Sequence, residues 1–278
     1  MEIYKPWYAG LRRASKAFPV IIKLHKRYWR YRTLMNIGWN YLDPLGYFNE
    51  IPSDAAGNPL PWFSYSAISF LESIVQKRWK VFEYGSGYST VFWNTKCGRT
   101  VSVEHDEYWF NVLRRRYSDF EIYFVKEGAD RQRQVISDLI DAFEAIGFDL
   151  PLSSDQAHNR AHGLLNREFA DYAAKLVDFP KGFFDVIVVD GMARSLCLFL
   201  AAEYISESGI IILDDSDRWQ YNDLQQHLIM AKNFNRLDFS SLTPKSTREQ
   251  TTSIFFKDIS FLRAAKTIRK QGAGHLGW

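Results

Sequence analysis

Apolar positions cluster in short runs through the middle of the chain, and these runs alternate with stretches of helical spacing. Over residues 64–76, Ile68, Leu71, Ile74 and Val75 fall on one face of a helix. Residues 81–84 read as a strand and 89–96 as the helix that follows it. The same alternation continues with a strand at 100–103, a helix at 108–117 and a strand at 121–125. Residues 185–189, Asp-Val-Ile-Val-Val, form a strongly apolar strand, followed by a helix at 195–205. A strand at 210–213 and a helix at 223–232 come next, and strands at 236–239 and 252–256 close the order. Strands alternating with helices predict an α/β fold with a parallel sheet covered on both faces. The last two strands have no helix between them, so they are expected to pair antiparallel.

Three stretches interrupt or flank this pattern. The interval from Lys126 to Gly182 is long for one crossover. It holds a helical run at 132–146 and a polar segment at 153–163 that includes His158 and His162. Such an insertion is either a lid that carries acceptor contacts or a variable surface loop. The Gly, Pro and Asn content of 54–61 marks a loop at the domain entrance. The predicted organisation is therefore a helical extension at 1–60, a main domain at 61–260 with 126–182 inserted, and a tail at 261–278. In the extension, Lys5, Arg12, Arg13, Lys16, Lys23, Lys26, Arg27, Arg30 and Arg32 far outnumber the acidic residues, with Trp7, Tyr8, Phe18, Trp29 and Tyr31 interleaved. A solvated helix packed across the main domain accounts for this pattern. Contact with a membrane surface or an anionic polymer is the alternative.

Composition narrows the class. The 278 residues suffice for one or two domains, and 46% hydrophobic with 24% charged residues is ordinary for a soluble globular protein. Aromatics reach 16%, which fits a large core or an aromatic-lined acceptor pocket. A net charge of +3 is too small to argue for nucleic acid, and none is expected as a partner. Cys97 and Cys197 lack Cys-x-x-Cys or zinc spacing, so the expectation is a reducing cytoplasm, with peripheral membrane contact if the basic extension provides it. No run of about 18 apolar residues occurs, and the N-terminus lacks the features of a signal peptide. Nothing in the sequence indicates an oligomeric state.

The chemistry concentrates at Lys80-Val-Phe-Glu-Tyr-Gly-Ser-Gly-Tyr-Ser-Thr90. A short apolar run ends in an acidic residue, Glu83, and then Gly85 and Gly87 lead into a helix. Paired glycines at a strand-to-helix turn let a ligand approach the backbone, and the free N–H groups of the helix start favour a polar ligand edge. Glu104 ends the next apolar run about 20 residues on, the distance at which a carboxylate takes the ribose hydroxyls of a nucleoside cofactor.

With these motifs the chain, from about residue 62 to 256, resembles the class I S-adenosylmethionine-dependent methyltransferases. Glu83-x-Gly85-x-Gly87 looks like their first motif, and Glu104 stands where their ribose-binding acid stands. Asp185-Val-Ile-Val-Val-Asp190-Gly191 looks like their fourth strand, and Gly209-Ile-Ile-Ile-Leu-Asp214-Asp215 like their fifth. The resemblance implies a Rossmann-like, doubly wound seven-stranded sheet in the order 3-2-1-4-5-7-6, with the last strand reversed. It implies S-adenosylmethionine as cofactor, with Glu104 on the ribose and the backbone of residues 85–87 under the methionine part. Glu83, Tyr84, Ser86, Ser89, Thr90, His105 and Asp190 complete the expected cofactor site, with residues 127–130 by the adenine. Thr90 stands where a dinucleotide fingerprint has its third glycine, which disfavours a nicotinamide cofactor.

Asp190, Asp214 and Asp215 converge at the ligand edge of such a sheet. An oxygen-only cluster suits Mg²⁺ or Ca²⁺, and metal-dependent O-methyltransferases acting on catechols and macrolide sugars look similar. The expectation is a divalent cation on these three residues that binds two adjacent acceptor hydroxyls. The alternative has Asp190 touching cofactor or acceptor directly while Asp214 and Asp215 cap the next helix. Asp190, Asp215, His158 and His162 are candidate bases. Arg194 and Arg218 are candidates for a fork onto the acceptor or for a salt bridge within the acidic cluster. Asp190-Gly191-x-x-Arg194-x-x-Cys197 with Leu213-Asp-Asp-Ser-Asp-Arg218 is similar to bacterial methyltransferases associated with polysaccharide or glycoside modification. The function expected is O-methylation of a sugar, glycoside or small polyol. A phenol, amine or lipid headgroup as acceptor, or a non-catalytic cofactor-binding module, are the alternatives.

Overall fold

The structure, a computed structural model, describes residues 58–128, 167–244 and 249–266, with isolated positions at 52, 141 and 145. Helix α1 (Tyr65–Ile74) leads in and is capped by Ser64, whose side chain accepts from Ala67 N. Then follow β1 (Lys80–Tyr84), α2 (Tyr88–Lys96), β2 (Arg99–Glu104), α3 (Glu107–Arg116) and β3 (Glu121–Phe124). A short helix α4 (Ala170–Ala174), flanked by 3₁₀ turns Arg167–Phe169 and Lys175–Asp178, precedes β4 (Phe184–Val189). Helix α5 (Arg194–Tyr204), β5 (Ile205–Leu213), α6 (Asn222–Met230), β6 (Asn235–Leu242) and β7 (Glu249–Phe256) complete the order.

The strands form one sheet in the order β3-β2-β1-β4-β5-β7-β6. The first five pair parallel, and β7 runs antiparallel to both β5 and β6. This is the Rossmann-like order that the resemblance implies. The two-residue period of the strands divides the core into two layers. Phe82, Tyr84, Ile187, Val189, Ile211 and Leu213 face a layer completed by α4 and α5. Val81, Val186, Val188, Ile210 and Ile212 face a second layer built on Phe63, Ile68, Leu71, Phe92 and Trp93. Burial on both faces explains why these strands read as continuous apolar runs.

The elements lie within a few residues of their expected positions, except that β5 starts five residues before the expected 210. Helix α4 was not foreseen. Phe169, Tyr172, Ala173 and Leu176 are all buried in the first layer, so the final part of the 126–182 interval belongs to the core. Of the expected helix 132–146, only Asp141 and Ala145 are described, joined by a bond from Ala145 N to Asp141 O at 2.9 Å. His158, His162 and the basic segment 1–50 lie outside the described residues.

Candidate active site

The carboxyl ends of β1, β2, β4 and β5 open onto a cavity of about 670 Å³, within the usual range for small-molecule sites. Its floor is a close contact between two strand ends. Gly85 follows β1 with φ +84°, and a Cβ there would stand 2.6 Å from Asp190 O. Only glycine meets both demands. Gly191 presses on the same place from the β4 side, where a Cβ would meet the Tyr172 hydroxyl at 1.9 Å and Gly85 N at 2.9 Å. At Gly87 a Cβ would make only ordinary contacts, with Ser89 Oγ at 3.7 Å and Trp109 Nε1 at 3.9 Å.

The turn is held from beneath. Thr90 Oγ1 accepts from Gly87 N at 2.8 Å and donates to Glu83 Oε2 at 2.5 Å, while Ser102 Oγ donates to the same oxygen at 2.8 Å. Burial pushes the Glu83 carboxyl up to about 7, against the pull of these hydroxyls. Tyr84 donates its hydroxyl to Ala173 O at 2.7 Å and so fastens α4 to β1. Glu83, Tyr84 and Thr90, expected at the cofactor, thus brace the turn and do not line the cavity.

Gly85, Ser86, Gly87, Ser89, Glu104, His105 and Asp190 do line it. Glu104 ends β2 and accepts Ser86 N at 2.8 Å and Ser86 Oγ at 2.9 Å on Oε2. Its Oε1 accepts the backbone N–H groups of His105 and Asp106, both at 2.8 Å. Burial alone would raise its pKa. The bonds from His105, Asp106 and Ser86 outweigh burial and hold it below the ordinary value, so the group stays ionised. Glu104 is thus an anion held charged beside the glycine turn. Trp109 closes this end, donating Nε1 to Ser86 O and meeting Tyr88 edge-on at 5.8 Å. Glu127, expected by the adenine, is hydrogen-bonded to Glu168, which raises its pKa; residues 129 and 130 lie outside the described set.

At the opposite end Asp190, Asp214 and Asp215 do converge, but around Arg194. Ala193, at φ +48°, turns the chain into α5 so that Arg194 stands at its first position. The guanidinium donates to Gly191 O at 3.0 Å, Asp190 Oδ1 at 3.0 Å, Asp214 O at 2.6 Å and Asp215 Oδ2 at 3.3 Å. Arg218 Nη2 donates to Asp215 Oδ2 as well, and Gln250 Nε2 to Asp215 Oδ1 at 2.7 Å. Thr252 Oγ1 donates to Asp214 Oδ1 at 2.7 Å and accepts Ser64 N at 3.1 Å, which ties the α1 entrance to the acidic cluster. Burial pushes Asp190 up to about 6, with Arg194 opposing and Asp215 adding to the rise. Asp214, buried and beside both other carboxyls, is raised well above the usual range.

The expected Mg²⁺ or Ca²⁺ site is not formed by this arrangement. Among the described residues no group of three His, Cys, Asp or Glu side chains is disposed to hold a metal ion. The carboxylates point at guanidinium, amide and hydroxyl donors instead. The high aromatic content allowed an aromatic-lined pocket but singled out none of its residues: Trp62 and Tyr108, 54% and 76% exposed, border the cavity, as do Thr243 and Gln250.

No protein-family model matches the chain, and no curated protein is similar to it. Solved structures similar in part include a methyltransferase-like protein from Silicibacter pomeroyi (20% identity, TM-score 0.40, 71% of this chain and 92% of that one). A methyltransferase from Pyrococcus furiosus aligns at 15% identity and TM-score 0.42, over 83% of this chain and 98% of that one. Spermidine synthase from Thermotoga maritima aligns at 13% identity and TM-score 0.38, over 70% of this chain and 58% of that one. At these values no activity or substrate carries over.

Proposed function

We propose that the chain is an S-adenosylmethionine-dependent methyltransferase acting on a hydroxyl of a sugar, glycoside or other small polyol. Glu104 carries the reading. It is an ionised carboxylate at the end of β2, it borders the cavity, and it is bonded across to the turn at Ser86. S-adenosylmethionine would supply an electrophilic methyl group on sulfonium. Glu104 and the backbone of residues 85–87 would bind and orient it.

Asp190 is the group suited to receive the acceptor's proton. Its side chain is 19% exposed and borders the cavity, and with a pKa near 6 it is ionised at neutral pH yet basic enough to act. The exposed faces of Trp62 and Tyr108 stand beside hydrogen-bonding side chains, a combination suited to a ring that carries hydroxyls. The same reading includes a surface contact through residues 1–50; liposome flotation with and without that segment tests it. No helix among the described residues is long and apolar enough to cross a membrane.

Calorimetry tests the cofactor. Saturable binding of S-adenosylmethionine with none of NAD is expected, and the reverse result ends the methyltransferase reading. Release of S-adenosylhomocysteine across polyol, phenol, amine and lipid-headgroup acceptors then identifies the substrate class. Tight cofactor binding without turnover on any of them favours a silent module.

A further inference from the structure

We infer that Arg194 is the resident cation of the acceptor site, a guanidinium fixed where a divalent ion would otherwise sit, so that the site works without a metal. The assignment to an acceptor site rests on the methyltransferase reading; the placement of charge does not.

Arg194 is placed against local preference. A cation at the first position of a helix opposes the helix dipole. Ala193 holds a left-handed conformation to put it there, and non-glycine residues avoid that region. The side chain is also only 9% exposed, and a buried charge persists only when paired. Its pairing is complete on three sides: Asp190 Oδ1 at 3.0 Å, Asp215 Oδ2 at 3.3 Å and Asp214 O at 2.6 Å.

Charge balance points the same way. Asp190 and Asp215 are already paired with two guanidinium groups, Arg194 and Arg218. A divalent ion would add two positive charges beside these two guanidinium groups, or would have to expel a buried one. Both courses are costly because the charges are buried. Two further carboxylate oxygens are engaged, Asp215 Oδ1 by Gln250 and Asp214 Oδ1 by Thr252. Arg194 is thus a positioning residue: it keeps Asp190 ionised and facing the cavity, the role a metal has in an oxygen-ligand site.

Mn²⁺ titration followed by electron paramagnetic resonance tests this on the full chain. Wild type is expected to show no saturable binding at millimolar Mn²⁺, and its thermal midpoint should be the same in Mg²⁺, Ca²⁺ or EDTA. Arg194→Met should bind Mn²⁺ at least about tenfold more tightly, because its carboxylates lose their cation. Saturable binding by wild type that Asp215→Asn abolishes overturns the proposal. So does a folded Arg194→Met that binds Mn²⁺ no better than wild type. If Arg194→Met does not fold, the wild-type titration decides alone. Neither measurement involves cofactor or turnover, so failure here is distinct from failure of the methyltransferase reading.

Discussion

Glu83 and Glu104 are buried carboxyls on neighbouring strands, and their proton affinities move in opposite directions. Glu104 faces four N–H and O–H donors and stays charged, whereas Glu83 has one oxygen with no partner among the described residues. Glu83 is raised from 4.5 to about 7, so its folded form holds the proton more tightly than its unfolded form. Its contribution to stability is therefore full below pH 4.5 and is lost as pH rises through 7. Against Glu83→Gln, wild type should lose about 3 kcal/mol between those limits, measured by urea unfolding at several pH values. A parallel pH dependence in the two proteins rules this out. Glu104→Gln keeps the shape but not the charge and should weaken S-adenosylmethionine binding by roughly 1–3 kcal/mol. An unchanged dissociation constant removes its assigned role. The types and spacing of these residues were legible in the sequence, but Thr90 was not: it reads as a bulky side chain at a glycine position. Its hydroxyl instead joins the turn to Glu83, and the Gly-x-x-Thr spacing at a helix start was the available signal.

At the scale of elements, the parallel strands were legible because burial on both faces leaves uninterrupted apolar runs. Helix α4 was not, although Phe169, Tyr172, Ala173 and Leu176 have helical spacing, because the element is short and follows a long polar stretch. Its function is to bring Tyr172 under the junction of β1 and β4. The Tyr172 hydroxyl is buried, has no hydrogen-bond partner among the described residues, and occupies the space beneath Gly191. Gly191→Ala should therefore destabilise the fold by roughly 1–3 kcal/mol through overpacking. Tyr172→Phe in the same chain should recover part of that loss, since the nearest obstructing atom is gone while Gly85 still stands close. Additive effects of the two substitutions in thermal unfolding would show that the contact is not responsible.

For the whole molecule, the sequence predicts the order of elements but not the long-range approaches that complete the site. Gln250 and Thr252 reach Asp215 and Asp214 from β7, and Trp62 arrives from the entrance before α1. These are consequences of the reversed β7 strand and of the cap at Ser64, and neither has a local signature. A ligand that spans both ends of the cavity should bind only the folded chain. At about 100 times its dissociation constant, S-adenosylhomocysteine should add about 2.7 kcal/mol and raise the melting temperature by roughly 5–10 °C. A melting curve indifferent to it would contradict the cofactor assignment.

The contact between Gly85 and Asp190 has a further consequence. On the proposed reading, the cradle for the donor and the anchor for the recipient press on each other where two strand ends meet, so neither can be reshaped alone. On that reading, new recipient preferences would come through the exposed rings of Trp62 and Tyr108, where exchange leaves the shared floor intact.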